Sequence, residues 1–121
     1  MMSPSNTVRD PHADWRPLCR TADLVAGSGI VALAGGQQVA LFYLPDSEPQ
    51  VFAIGNRDPK SGANVIGRGL VGHLGGDLVI ASPLYKQHFR LRDGACLEYP
   101  EQHLPVWPVR LCGERVEISL G

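Results

Sequence analysis

The sequence lacks any close pair of cysteines, or of a cysteine with a histidine. Its three cysteines, Cys19, Cys96 and Cys112, lie far apart, and no C-x-x-C, C-x-H or C-x-x-H spacing occurs. The usual ligand spacings of zinc and iron–sulfur sites are therefore missing. So sparse and odd a set of cysteines also argues against a secreted disulfide framework and reads as reduced, half-buried thiols. No apolar run approaches the roughly 20 residues of a membrane helix. Neither charge sign dominates: 11 Lys or Arg stand against 12 Asp or Glu. A phosphate-binding nucleic-acid module would need a basic excess. The opening residues, MMSPSNTVRDPHAD, contain no apolar segment of the secretory type. These absences together predict a cytoplasmic protein with no membrane or nucleic-acid partner. Residues 1–14 are polar and proline-bearing and read as a flexible tail, with a single domain expected over 15–121.

Helical periodicity is also scarce. Apolar residues alternate, and 14 glycines and 10 prolines interrupt the 121-residue chain. In GIVALAGGQQVALFYL, Val31 and Leu33 alternate before Gly35-Gly36, and Val39, Leu41 and Tyr43 alternate after it. That pattern predicts a hairpin closed by a Gly-Gly turn. QVFAI is a short strand, followed by a long loop from Gly55 to about Arg68. GGDLVIASPLY contains another strand. FRLRDGACLEY predicts a hairpin turning at Asp93-Gly94, and PVRLCGERVEISL predicts a last one with Val116, Ile118 and Leu120 on one face. Short strands with frequent turns indicate an all-β sandwich or small barrel.

Three apparent motifs fail on their surroundings. GRGLVG, Gly67 to Gly72, matches a dinucleotide fingerprint in letters. Such a motif needs a helix N-terminus facing the pyrophosphate, and Gly75-Gly76 would break any helix that followed. Ser82, His88 and Asp58 could be assembled into a hydrolytic triad, but no G-x-S-x-G elbow surrounds Ser82 and Pro83 follows it directly. His12, His73, His88 and His103 have no histidine or cysteine partner at helical ligand spacing, so each reads as an ordinary surface or hydrogen-bonded histidine.

Two loops carry more information. AIGNRDPKSGA, Ala53 to Ala63, and ASPLYKQHFRL, Ala81 to Leu91, each follow a short apolar strand. The second resembles a Rieske loop, Cys-Pro-x-His-Gly-x-x-Phe, whose partner loop carries Cys-x-His. In that frame two cysteine sulfurs hold one iron and two histidine nitrogens hold the other. Asn56 and Asp58 stand at the first Cys and His positions, and Ser82 and Tyr85 at the second pair. Pro83 and Phe89 are kept, while Lys86 replaces the glycine. Ser, Asn and Tyr are poor ligands for an iron–sulfide core, and Asp58 alone could not hold two irons. The resemblance is thus to a Rieske ferredoxin-like fold with every cluster ligand replaced.

The longer wording narrows the resemblance. VFAIGNRDPKSGANVIGRGLVG, ASPLYKQHFRL and DGACLEY together are similar to the small subunit of assimilatory NAD(P)H-dependent nitrite reductase. The similarity runs from Trp15 through the last hairpin; Lys60 departs from the aromatic residue expected after Asp-Pro. The resemblance implies three small antiparallel sheets with the two loops at one tip, without an iron–sulfur cluster. It implies a non-redox component of a cytoplasmic enzyme that reduces nitrite to ammonium in nitrogen assimilation, with no catalytic residue or metal in this chain. FAD, NAD(P)H, sirohaem and an iron–sulfur cluster would belong to the large subunit, the expected partner. The alternative is a stand-alone Rieske-like electron-transfer or binding module.

Charge suggests where such a partner would dock. Between Asn56 and Arg92 six Lys or Arg stand against two Asp, whereas the rest of the chain carries five basic and ten acidic residues. A local basic bias can steer association with an acidic surface. Arg57, Tyr85, Lys86 and Gln87 are the expected docking residues.

Overall fold

The computed structural model describes residues 14–120, so the expected tail falls almost wholly outside the described residues. Among the described residues ten strands form three antiparallel sheets. The only helices among the described residues are two single 3-10 turns, Thr21–Asp23 and Ile66–Arg68. The first sheet, in the order β1-β10-β9, contains β1 (Trp15–Arg20), β9 (Val109–Cys112) and β10 (Arg115–Ser119). The second, β2-β3-β4-β8, contains β2 (Gly29–Ala34), β3 (Gln37–Tyr43), β4 (Val51–Gly55) and β8 (Val106–Trp107). The third, β5-β6-β7, contains β5 (Leu70–Leu74), β6 (Asp77–Ala81) and β7 (His88–Arg90).

The unbroken apolar run Val39-Ala40-Leu41-Phe42 has a structural cause. The second sheet is covered on both faces, so β3 needs apolar residues in both directions. Val39 and Leu41 join Ala53, Val116 and Ile118 in the core shared with the first sheet. Ala40 and Phe42 join Ile54, Ile80, Phe89 and Leu91 in the core shared with the third. The alternation expected from Val39, Leu41 and Tyr43 therefore described only one of the two buried faces of this strand.

Gly35 and Gly36, at φ 57° and 79°, close the β2–β3 hairpin, where a side chain would be strained at both turn positions. Gly75-Gly76 closes the β5–β6 hairpin in the same way; the sequence had suggested only that this pair would break a helix. The hairpin expected at Asp93-Gly94 is shorter than foreseen. Beyond β7 the chain returns only through isolated bridges, Phe89 to Cys96 and Ala95 to His103. The last hairpin, β9–β10, is present, with Val116 and Ile118 buried. Its opposite face carries Glu117, also buried, whose carboxylate receives Arg110 and Arg115.

This framework places the two loops. The first leaves β4 in the second sheet and the other leaves β6 in the third. Phe89, fully buried, anchors the far end of the later loop in the core between these sheets.

Candidate functional site

The loop after β4 is folded back on itself. Arg57 bridges to Asn64, the Asp58 amide donates to the Ala63 carbonyl at 2.8 Å, and the Gly62 amide donates to the Asp58 carbonyl at 2.7 Å. The loop after β6 is a tighter turn. Its ends are joined by the Ser82 amide donating to the Gln87 carbonyl and the Lys86 amide donating to the Ser82 carbonyl, both at 3.0 Å.

The side chains of three of the four ligand-frame residues lie inside: Asn56, Asp58 and Ser82 are each at most 2% exposed. Asp58 accepts four hydrogen bonds. Its Oδ1 receives the amides of Lys60 at 2.8 Å and Ser61 at 3.3 Å, and Gln87 Nε2 at 3.0 Å. Its Oδ2 receives the Ser82 hydroxyl at 2.5 Å. Gln87 Nε2 also donates to Gln102 Oε1 at 3.1 Å, drawing in a third segment of chain. Asn56 is engaged separately. Its Nδ2 donates to Gln38 Oε1 at 2.8 Å, and its Oδ1 accepts the Gly67 amide at 2.7 Å. A Cβ at Gly67 would fall 2.7 Å from the Val31 side chain and 3.2 Å from Asn56 Oδ1. Close approach to β2, rather than phosphate binding, therefore accounts for this glycine of the GRGLVG run.

Tyr85 points the other way and is 54% exposed. Its ring carries Lys60 Nζ at 4.9 Å from the centroid, within cation–π range. Lys86 has φ 60° and is the only non-glycine residue with positive φ among the described residues. It occupies the glycine position of the Rieske frame. Leu84 is also exposed, as are Arg57, Lys60, Arg68 and Lys86. Arg90 and Arg92 contribute less to the basic surface, because Asp77 and Asp93 lie beside them.

Gln87 needs correction as a docking residue. Only 1% of it is exposed, because its amide is turned inward to Asp58 and Gln102. Its Oε1 is buried without a hydrogen-bond partner among the described residues. The sequence offered no sign of this, since a glutamine between Lys86 and His88 looks like surface.

The imagined triad is not assembled. Ser82 is hydrogen-bonded directly to Asp58, while His88 Nδ1 lies 2.6 Å from Glu98 Oε2. Glu98 also accepts the His88 amide at 2.8 Å. Partial burial raises the Glu98 pKa, but the bonds from the His88 amide and ring outweigh it and hold the carboxyl below its ordinary value. Burial pushes the thiols of Cys19 and Cys96 up, which disfavours the nucleophilic thiolate. All three cysteines are free.

These residues do not fit a [2Fe–2S] cluster. Asn56, Asp58 and Ser82 are oxygen or amide groups committed to hydrogen bonds, and Tyr85 faces solvent instead of converging with them. No group of three or more His, Cys, Asp or Glu among the described residues is arranged to hold a metal ion. No helix among these residues is long and apolar enough to cross a membrane.

The Rieske-like [2Fe-2S] domain family matches residues 14–119. The nitrite reductase (NADH) small subunit of Salmonella typhimurium is 49% identical over 86 residues, covering 71% of this chain and 79% of that protein. The solution structure of the nitrite reductase [NAD(P)H] small subunit from Erwinia carotovora superposes with a TM-score of 0.75 at 39% identity, covering 90% of this chain and 83% of that one. The nitrite reductase [NAD(P)H] large subunit of Klebsiella oxytoca is 43% identical over 109 residues, which is 90% of this chain but 11% of that protein.

Three antiparallel sheets and two facing loops make this a Rieske-like β domain. At the cluster positions it carries Asn56, Asp58, Ser82 and Tyr85 in place of the Cys and His of the Rieske frame. Within the Rieske-like class, the chain belongs to the small-subunit family of NAD(P)H nitrite reductase, an oxidoreductase component.

Proposed function

We propose that this chain is the non-redox small subunit of a cytoplasmic NAD(P)H-dependent nitrite reductase, and that it works by docking its loop tip on the large subunit. In that enzyme nitrite is reduced to ammonium for nitrogen assimilation. NAD(P)H, FAD, the iron–sulfur cluster and sirohaem are handled by the large chain. The small chain contributes surface rather than electrons.

The observation that carries the reading is Lys86. A non-glycine residue in the left-handed region costs roughly 1–2 kcal/mol of backbone energy. Glycine would remove that cost, yet a lysine stands there with its side chain exposed. Backbone strain kept at an exposed turn is characteristic of functional sites. Tyr85 beside it and Arg57 on the facing loop add an aromatic and a second cation, residue types common at interface centres. The Klebsiella oxytoca protein lends further support, since a homologous segment there lies within a chain named a large subunit.

The test is charge reversal at the tip. Lys86→Glu with Arg57→Glu should leave the isolated chain folded, weaken its assembly with the large subunit, and lower NAD(P)H-driven nitrite reduction accordingly. Added salt should slow association of the wild type, because exposed charges are screened. A double variant that assembles and supports turnover like wild type would move the interface to a sheet face. Metal analysis addresses the electron-carrier alternative: two iron atoms per chain and absorption bleached by dithionite would favour it.

A further inference from the structure

We infer that the buried Asp58 carboxylate, with Ser82, Gln87 and Gln102, cross-links the two loops in the place where the Rieske frame uses its cluster, and so holds the tip in shape without metal.

In the Rieske frame each loop supplies one thiolate and one imidazole, and the cluster joins the loops covalently. Here the joining group is a side chain. One carboxylate oxygen is held by its own loop, through the Lys60 and Ser61 amides, and also receives Gln87 from the facing loop. The other oxygen receives the Ser82 hydroxyl. Ser82 and Gln87 are the two ends of the later turn, and they are already joined through their own backbone. Asp58 therefore grips that turn at both ends. Between the grips lie Pro83, Leu84, Tyr85 and Lys86, the exposed part of the loop.

The chemistry suits this task. Hydrogen bonds to an ionised acceptor are shorter and about twice as strong as neutral ones. Asp58 is fully buried, and the groups around it are donors, so its charge is compensated by convergent dipoles. A network closed in this way behaves as a unit, and deleting one member strands the others. Gln87 Oε1, without a partner among the described residues, fits the same picture. The glutamine amide is oriented by its two donor bonds, and its oxygen goes without a partner as a consequence. Gln102 extends the cross-link to the segment before Leu104, whose amide is bound to the Gly94 carbonyl.

The experiment is amide hydrogen exchange on the intact chain carrying Asp58→Ala, Ser82→Ala or both. Ser82→Ala lies in the later loop, yet it should speed exchange of the Lys60, Ser61 and Gly62 amides in the earlier one. Asp58→Ala should likewise speed exchange at Lys86. Each effect should be about tenfold or more, with amides of β3 and β10 unchanged. The double variant should exchange no faster than Asp58→Ala alone, because both changes break one network. Should Asp58→Ala fail to fold, Ser82→Ala alone decides whether loosening crosses between the loops. Loosening confined to the mutated loop, or additive effects in the double variant, would overturn the cross-link. The measurement involves no large subunit, so its outcome is independent of whether the tip is the docking surface.

Discussion

Lys60 Nζ sits 4.9 Å from the centre of the Tyr85 ring, tying the outer sides of the two loops together above the buried Asp58. The family resemblance implies an aromatic at position 60, where this chain has a lysine. The structure pairs that cation with an aromatic from the facing loop. Exposed cation–π contacts contribute about 0.5–1 kcal/mol. Lys60→Ala should lower stability by an amount of that order in urea unfolding. The effect should largely vanish in a Tyr85→Leu background, where the ring is gone.

Lys86 gives two readouts of opposite sign. Lys86→Gly removes left-handed strain and should raise stability by about 1 kcal/mol. The same change deletes an exposed cation from the tip, so association with the large subunit should slow. A variant that is more stable and binds equally well would show that the lysine is tolerated rather than used.

Phe89 and His88 are sequence neighbours with unequal roles. Phe89 is fully buried between the second and third sheets, and Phe89→Ala should cost about 3–5 kcal/mol. His88 is a third exposed and pairs with Glu98. His88→Ala should therefore lower the melting temperature much less, through the lost pairing alone. Thermal unfolding of the two variants side by side checks the ranking.

Acid should act partly through Glu98. Its carboxyl is held below the ordinary glutamate value of 4.5 by the His88 amide and ring, which outweigh partial burial. A carboxyl depressed in the folded state stabilises the fold above that ordinary value and loses its contribution as pH falls through the lower one. Asp93 is depressed likewise: its burial is outweighed by the Ala95 amide and by Arg90. The fall in melting temperature between about pH 5 and pH 3 should be smaller in Glu98→Gln combined with Asp93→Asn than in wild type. Equal falls would place acid sensitivity elsewhere.

Some elements were legible in the sequence because their cause is local. The Gly35-Gly36 turn and the Cys112–Arg115 turn are fixed by residues within a few positions of them. The first strand was not legible. WRPLCR has a proline, two arginines and no alternation, and its strand state comes from β10, about a hundred residues away in sequence, with a register shift between Pro17 and Cys19. As the edge strand of its sheet, it can accommodate the proline. In the tip, the Rieske frame singled out positions 56, 58, 82 and 85, but not which of their side chains turn inward. Gln87 is buried because Asp58 and Gln102 bind it, and neither partner is near it in sequence. Short-range pattern carries no record of such pairings.

The pairing of Trp15 with Ser119 brings the two ends of the folded region side by side in one sheet. A domain with adjacent ends can be spliced into a longer polypeptide as a cassette, because the host's incoming and outgoing segments meet it at a single point. A segment similar to this chain makes up 11% of the Klebsiella oxytoca protein. Tethering of this kind would replace a collision between two chains with a fixed, high local concentration of one surface beside the other. Gene fusion and free subunit would then be two routes to the same contact, differing in whether its occupancy depends on how much of the small chain the cell makes.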